Sequence, residues 1–214
     1  MSLLLAYPKG RLGDELLGLL GSSELAPTAA PGRALKVPAR EAGVEIVFLK
    51  GADLVEYVAR NVAALGVVGS DSLDEHGSDV LELADLGLGR CRLSLSAPAG
   101  IGVEQLRQRR HLKIATKFLR STSAWLERKG ITAELVYLTS SIELAPVLGL
   151  ADAIVDLVQT GRTLVDNGLV ELEIIGQTSG RLIAARGAYL ENPQRIERYR
   201  ALLVAACRPE NNDR

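Results

Sequence analysis

Short apolar runs alternate along this chain with segments whose apolar residues recur every three to four positions. Residues 3–7 read as a buried strand, closed at once by Pro8 and Gly10. Residues 12–20 then place Leu12, Leu16, Leu19 and Leu20 on one helical face. The stretch 22–40 is rich in Pro, Gly and Ala and reads as a loop or a weakly structured excursion. A strand follows at 44–49, and Asp53 is placed to cap a helix running to about Arg60. Residues 65–68 form a short strand, and Gly69-Ser70-Asp71 after it can open a helix. Further strands are expected at 80–83, 92–97, 114–116, 133–137, 153–155, 169–175 and 181–185. Helices are expected at 103–110, at 121–129 (closed by Gly130), at 160–167, and from Pro193 onward. In 169–175, Glu171 and Glu173 alternate with apolar residues, which marks a half-exposed strand.

Strands separated by single helices predict an α/β fold with largely parallel sheets. One continuous sheet of so many strands is wide for 214 residues, so two lobes are expected. The chain crosses out near 92–100 and back near 176–181. Lobe I then comprises 1–92 with 181–214, and lobe II 93–180. The polar tail at 208–214 is expected to fray.

Composition narrows the function classes. The charge sum is 25 basic minus 26 acidic residues, or −1, so no global field favours nucleic acid or an anionic membrane. Anions must be met by local clusters. No run of 18 apolar residues offers a membrane span, and the N-terminal run lacks the basic flank of a signal peptide. Two cysteines without framework spacing suit a cytoplasmic protein, and two histidines beside them make a structural zinc site unattractive.

The most informative stretch is 151–164, A-D-A-I-V-D-L-V-Q-T-G-R-T-L. A strand runs into Asp156, and Thr160-Gly161-Arg162-Thr163 then opens a helix. Helix-opening N–H groups lack intrahelical partners, Gly161 lets a ligand approach the backbone, and two hydroxyls add donors. That combination is a phosphate cradle. A carboxylate just before it can accept from sugar hydroxyls, the layout a ribose 5-phosphate needs. The bland alternative is a Thr-capped helix after a strand. Pro8-Lys9-Gly10-Arg11 follows the first strand, where open α/β sheets bind ligands, and can meet a polyanion or be a solvated basic turn. Gly69-Ser70-Asp71 is a weaker candidate anion nest. Gly87-Leu88-Gly89 lacks the third glycine of a dinucleotide fingerprint. Cys91 has no histidine partner in motif context. Arg107, Arg109, Arg110 and Lys113 read as a solvated basic face.

These motifs resemble those of the ATP phosphoribosyltransferase family. The matching stretches are Y-P-K-G-R-L at 7–12, L-G-V-V-G-S-D at 65–71, D-L-G-L-G-R-C-R-L at 85–93 and K-I-A-T-K-F at 113–118. The longest is S-I-E-L-A-P-V-L-G-L-A-D-A-I-V-D-L-V-Q-T-G-R-T-L-V-D-N-G-L at 141–169. The resemblance implies two α/β lobes like type II periplasmic binding proteins, with the active site in the interlobe cleft. It implies transfer from phosphoribosyl pyrophosphate (PRPP) to N1 of ATP, with Mg2+ and release of pyrophosphate. A chain of this length resembles the short form. That form works with a regulatory subunit resembling histidyl-tRNA synthetase, as homodimers of catalytic chains within a hetero-octamer.

Carried onto this sequence, the resemblance gives the 5-phosphate of PRPP to Thr160, Gly161, Arg162 and Thr163. The ribose hydroxyls fall to Asp156 and Glu143, with Asp152 a substrate-binding or structural residue. The catalytic cations are Lys9 and Arg11, which meet pyrophosphate or the ATP triphosphate, and Arg33 and Lys50, which reach phosphates within one chain or across a subunit boundary. Ala64, Lys50, Gln159 and Phe118-Leu119 depart from the family's usual residues. Adenine N1 attacks through its own lone pair, so positioning and charge stabilisation are required rather than a covalent nucleophile. A binding module on the same scaffold, a phosphoribosyltransferase for another base, and an inactive partner subunit are the rival readings.

Overall fold

The computed structural model describes residues 3–29, 35–77 and 79–207. Arg33 and the polar tail at 208–214 lie outside the described residues. The elements run β1 (Leu3–Pro8), α1 (Arg11–Leu20), β2 (Lys36–Pro38), β3 (Val44–Leu49), α2 (Gly51–Ala59), β4 (Leu65–Gly69), α3 (Ser70–His76) and β5 (Leu81–Asp85). Next come β6 (Cys91–Pro98), α4 (Val103–Arg107), β7 (Lys113–Thr116), α5 (Leu119–Lys129), β8 (Glu134–Tyr137), α6 (Leu144–Val147) and β9 (Ala153–Val158). The chain closes with α7 (Arg162–Asp166), β10 (Leu169–Thr178), β11 (Gly180–Ala184), α8 (Arg186–Glu191) and α9 (Pro193–Cys207). It divides into two units, 1–89 with 179–214, and 90–178. Among the described residues no helix is long and apolar enough to cross a membrane.

The first unit holds a six-stranded sheet in the order β2-β3-β1-β4-β11-β5. The apolar run of β1 is buried on both faces because it is central. Leu5 and Tyr7 join Leu16, Ile46, Leu65, Val67 and Tyr199 in one core, and Ala6 joins Leu54, Val55, Val58 and Ile183 in the other. Each such Leu or Ile contributes about 1.5–3 kcal/mol on burial. The buried Tyr7 hydroxyl donates to the Leu25 carbonyl at 2.9 Å, which satisfies the one polar atom that core receives from β1. Burial also pushes the ionisation of Tyr7 above its ordinary range.

The second unit holds a five-stranded sheet in the order β10-β6-β9-β7-β8. Alternation along β9 sends Ala153 and Val155 to a core with Trp125 and Leu126 of α5. Ile154 and Val158 go to the opposite core with Ala145 of α6 and Leu164 of α7. Asp156 shares that second face.

Several expectations are corrected. The sheets are mixed rather than largely parallel: β1/β3, β1/β4, β7/β8 and β7/β9 run parallel, while β2/β3, β4/β11, β5/β11, β6/β9 and β6/β10 run antiparallel. A crossover helix between consecutive strands imposes parallel pairing; β10 and β11, joined through the single residue Ser179, enter different sheets, and neither pairs with the strand before it in the chain, so no such constraint acts on them. The segment 22–40 contains β2, paired with β3. Asp53 does not cap α2, whose N-cap is Lys50 with no side-chain hydrogen bond; Asp53 lies in the first turn. The helix expected at 103–110 ends at Arg107, and the one expected at 160–167 begins at Arg162.

Candidate functional site

In the second unit the site is built at the carboxyl end of β9. Asp156 is the one charged residue on the strand and is partly exposed. Its carboxylate accepts the Leu157 N–H at 2.8 Å and lies 3.7 Å from Lys117 Nζ. Burial raises the Asp156 pKa. The Lys117 charge and the Leu157 N–H pull it back, and the Glu143 charge pushes it up again. Glu143 is therefore electrostatically coupled to Asp156. It occupies the N-cap of α6, just after Ser141, a non-glycine residue at φ 49. That left-handed turn is costly for serine and lets the chain bury Ile142 while leaving Glu143 half-exposed beside it.

Beyond Val158 the chain turns. Gly161 has φ 79, which a side chain would strain, and α7 has no side-chain cap. Thr160 Oγ1 accepts the Arg162 N–H at 3.4 Å, and Thr163 is exposed. Apart from that long contact to Thr160, no side-chain cap occupies the start of α7, which stands beside two hydroxyls. Arg92 braces this loop from β6. Its Nη1 donates to the Gln159 carbonyl at 2.9 Å, and Nε and Nη2 donate to the two carboxylate oxygens of Glu171 on β10, both at 2.6 Å. The buried Ser94 hydroxyl donates to Glu171 Oε1 at 2.7 Å. The Arg92 hydrogen bonds, against the opposing effect of burial and with help from Ser94, hold Glu171 below the ordinary glutamate range.

Asp152 is not brought to this end. It precedes β9, at the opposite end of the strand. One oxygen is ion-paired with Arg109 and the other accepts the Lys113 N–H at 2.8 Å. Two more residues of the basic run are engaged: Arg107 with Glu104, and Lys113 with Glu134.

In the first unit, parallel β3, β1 and β4 end side by side. Lys9 follows β1, Arg11 opens α1, and Lys50 follows β3. The Lys9 N–H donates to the Leu49 carbonyl at 2.8 Å, which ties the two lysine-bearing turns together. Helix α1 crosses the end of β1 so closely that a Cβ at Gly13 would lie 1.9 Å from the Pro8 carbonyl oxygen. Lys9, Arg11 and Lys50 are exposed and have no ion-pair partner among the described residues. Three unpaired cations and the uncapped N-termini of α1 and α2 share one sheet end, an arrangement suited to a polyanion. Ala64 lies before β4, at the amino end of that strand, away from these cations.

A family model described as ATP phosphoribosyltransferase matches residues 50–204. An ATP phosphoribosyltransferase of Sphingopyxis alaskensis is 41% identical over 207 residues, covering 92% of each chain. The chain belongs to the ATP phosphoribosyltransferase family. Another relative, from Geobacillus kaustophilus, is 40% identical and covers 92% of this chain and 94% of its own. Among solved structures, the ATP phosphoribosyl transferase (HisG:HisZ) complex from Thermotoga maritima is similar with a TM-score of 0.82 and 27% identity, covering 96% of this chain and 98% of that one. The periplasmic aliphatic sulphonate binding protein SsuA from Escherichia coli is similar in fold, with a TM-score of 0.64 at 18% identity over 96% of this chain and 68% of that one. The fold is thus the two-sheet α/β class shared with type II periplasmic binding proteins. The activity of an ATP phosphoribosyltransferase joins N1 of ATP to C1 of PRPP with release of pyrophosphate, the first step of histidine biosynthesis, and this chain is an enzyme of that kind.

The sequence pattern gives Lys117, Arg92, Ser94 and Glu171 no functional role. Lys117 had a signal, since it directly follows a strand inside K-I-A-T-K-F. Arg92, Ser94 and Ser96 alternate with Leu93, Leu95 and Ala97, which marks a polar stripe on a strand, and burial of Ser94 and Ser96 is what sets that stripe apart.

Proposed function

We propose that the carboxyl end of β9 binds the ribose 5-phosphate part of PRPP. Thr160, Gly161, Arg162 and Thr163 hold the 5-phosphate through main-chain N–H groups and hydroxyls. Asp156 and Glu143 accept from the ribose hydroxyls, and the Lys117 charge favours the ionised form of Asp156 against the opposing effect of burial. The observation that carries this reading is geometric: the half-buried Asp156, 3.7 Å from Lys117, stands on β9 just ahead of the Gly161 turn. Asp152 leaves the substrate set, because both its oxygens already have protein partners.

Lys9 and Arg11 meet pyrophosphate or the ATP triphosphate, and Lys50 reaches a phosphate. Their lack of ion-pair partners among the described residues supports this, since a cation awaiting a polyanion gains from staying unpaired. Arg33 remains a phosphate-reaching candidate from the sequence. Two carboxylates, Glu143 and Asp156, suit a Mg2+ ion that keeps water and phosphate ligands and takes one or two carboxylates from the protein. When bound with PRPP, that ion neutralises charge on the departing pyrophosphate. The remaining chemistry is positioning: no residue of this chain has to form a covalent bond to the sugar.

A regulatory partner of the HisZ kind is part of the same proposal, supported by the relationship to the Thermotoga maritima HisG:HisZ complex. So are a homodimer of catalytic chains within a hetero-octamer, and a cytoplasmic location. The test is pyrophosphate release from PRPP and Mg2+, with ATP present, absent, or replaced by GTP. The proposal expects release that requires ATP. PRPP binding with no release, in the presence of the regulatory subunit as well, contradicts it.

A further inference from the structure

We infer that Arg92 is a positioning residue for the phosphate loop, setting the direction in which the Thr160 N–H points; this rests on the reading of 160–163 as the 5-phosphate cradle. All three guanidinium nitrogens of Arg92 are engaged. Nε and Nη2 form a two-pronged ion pair with Glu171, and Nη1 reaches the Gln159 carbonyl. Arginine's planar fork makes both contacts at once, whereas lysine offers a point charge that can hold the carboxylate but not the fork geometry.

The consequence follows from peptide geometry. The Gln159 carbonyl and the Thr160 N–H belong to one peptide unit, and the described peptide bonds are all trans. In a trans unit the C=O and N–H point to opposite sides. Arg92 draws the carbonyl toward β6, so the Thr160 N–H of the same unit points away from β6. Freed from Arg92, that unit is able to rotate and present its carbonyl, which repels an anion.

The brace is itself anchored. Arg92 stands opposite Val158 in the β6/β9 register, next to the loop it holds. Glu171 receives a third hydrogen bond from Ser94, which is fully buried and stands opposite Asp156. Glu171 also lies at a register shift in the β10/β6 pairing, where an irregularity re-aims a side chain. Arg92 and Glu171 are both about three-quarters buried, with side-chain exposures of 29% and 24%, so the pair is less screened than a surface bridge.

The experiment titrates ribose 5-phosphate, PRPP with Mg2+, and ATP separately into the wild-type chain and into Arg92→Lys, Glu171→Gln and Thr163→Val. Melting temperatures are recorded for each. Arg92→Lys is expected to weaken ribose 5-phosphate and PRPP about tenfold while leaving ATP binding unchanged, and Glu171→Gln to weaken them in the same pattern but less. A brace that only joins β6 to β10 lowers the melting temperature and leaves the sugar phosphates bound as in wild type; that result overturns the inference. Thr163→Val separates the two levels. If it weakens ribose 5-phosphate and Arg92→Lys does not, the cradle stands and the positioning role falls. If Thr163→Val binds as wild type, both fall.

Discussion

At the amino end of β9, Asp152 accepts the Lys113 N–H and is ion-paired with Arg109; at the carboxyl end, Asp156 has a single backbone donor and a lysine 3.7 Å away. The two residues have the same parity, hence the same face of the sheet, and stand about 13 Å apart along the strand. What separates them is satisfaction. Asp152 is consumed by its own protein and fastens β9 to β7. Asp156 is held in a setting that raises its pKa, with Glu143 adding to the strain. A carboxylate left in that condition costs stability and is compensated when a ligand's hydroxyl groups donate to it.

The comparison breaks most visibly at Asp156→Asn. Losing a charged acceptor for the ribose is worth about 1.5–3 kcal/mol, so kcat/KM for PRPP is expected to fall roughly 10- to 100-fold, measured by initial rates at varied PRPP. Thr163→Val comes next, with a rise in the KM for PRPP of about tenfold from one lost hydroxyl contact to the phosphate. If its PRPP affinity matches wild type, the cradle assignment is wrong.

A pH profile sharpens the contrast. Asp156 must be ionised to accept from two hydroxyls, and burial raises its pKa. PRPP affinity should therefore fall with decreasing pH along a limb that lies above the ordinary aspartate range of about 3.9. Lys117 opposes the rise, so Lys117→Met should move that limb to higher pH. A limb that moves to lower pH or stays in place removes Lys117 from the account. The stability effect has the matching sign. A carboxylate whose folded pKa is raised favours the fold below its unfolded pKa and works against it once the pH exceeds the folded value. Glu171, with its pKa lowered by Arg92, does the reverse: its contribution is present above the unfolded glutamate pKa of about 4.3 and is lost as pH falls through the folded value. The smallest kinetic effect is expected at Asp152→Asn, with PRPP kinetics near wild type and a stability loss of about 1–2 kcal/mol in urea denaturation.

The sequence legibly carried the buried strands, because β1, β3, β4 and β9 are near-continuous apolar runs ending in turn residues. It also carried the T-G-R-T turn, because Gly161 and the flanking hydroxyls have local meaning. Strand direction was not legible in the antiparallel parts, since periodicity is the same for either direction and β10 and β11 adjoin without a helix. The strand β2 was hidden by its own Pro38 and by pairing along an edge. Asp152 and Asp156 look alike in A-D-A-I-V-D; only the groups that reach each one tell them apart, Arg109 and the Lys113 N–H at the start of β7 for Asp152, and Lys117, directly after β7, for Asp156. Arg92 was invisible for a related reason: its partners, Glu171 and the Gln159 carbonyl, lie 79 and 67 residues away in the chain.

The most direct measurement is calorimetric titration of ribose 5-phosphate into wild type, Asp152→Asn and Asp156→Asn under one set of conditions. Wild type and Asp152→Asn are expected to bind alike, and Asp156→Asn at least tenfold more weakly. Equal binding by Asp156→Asn and wild type, or an equal loss in Asp152→Asn, would contradict this expectation.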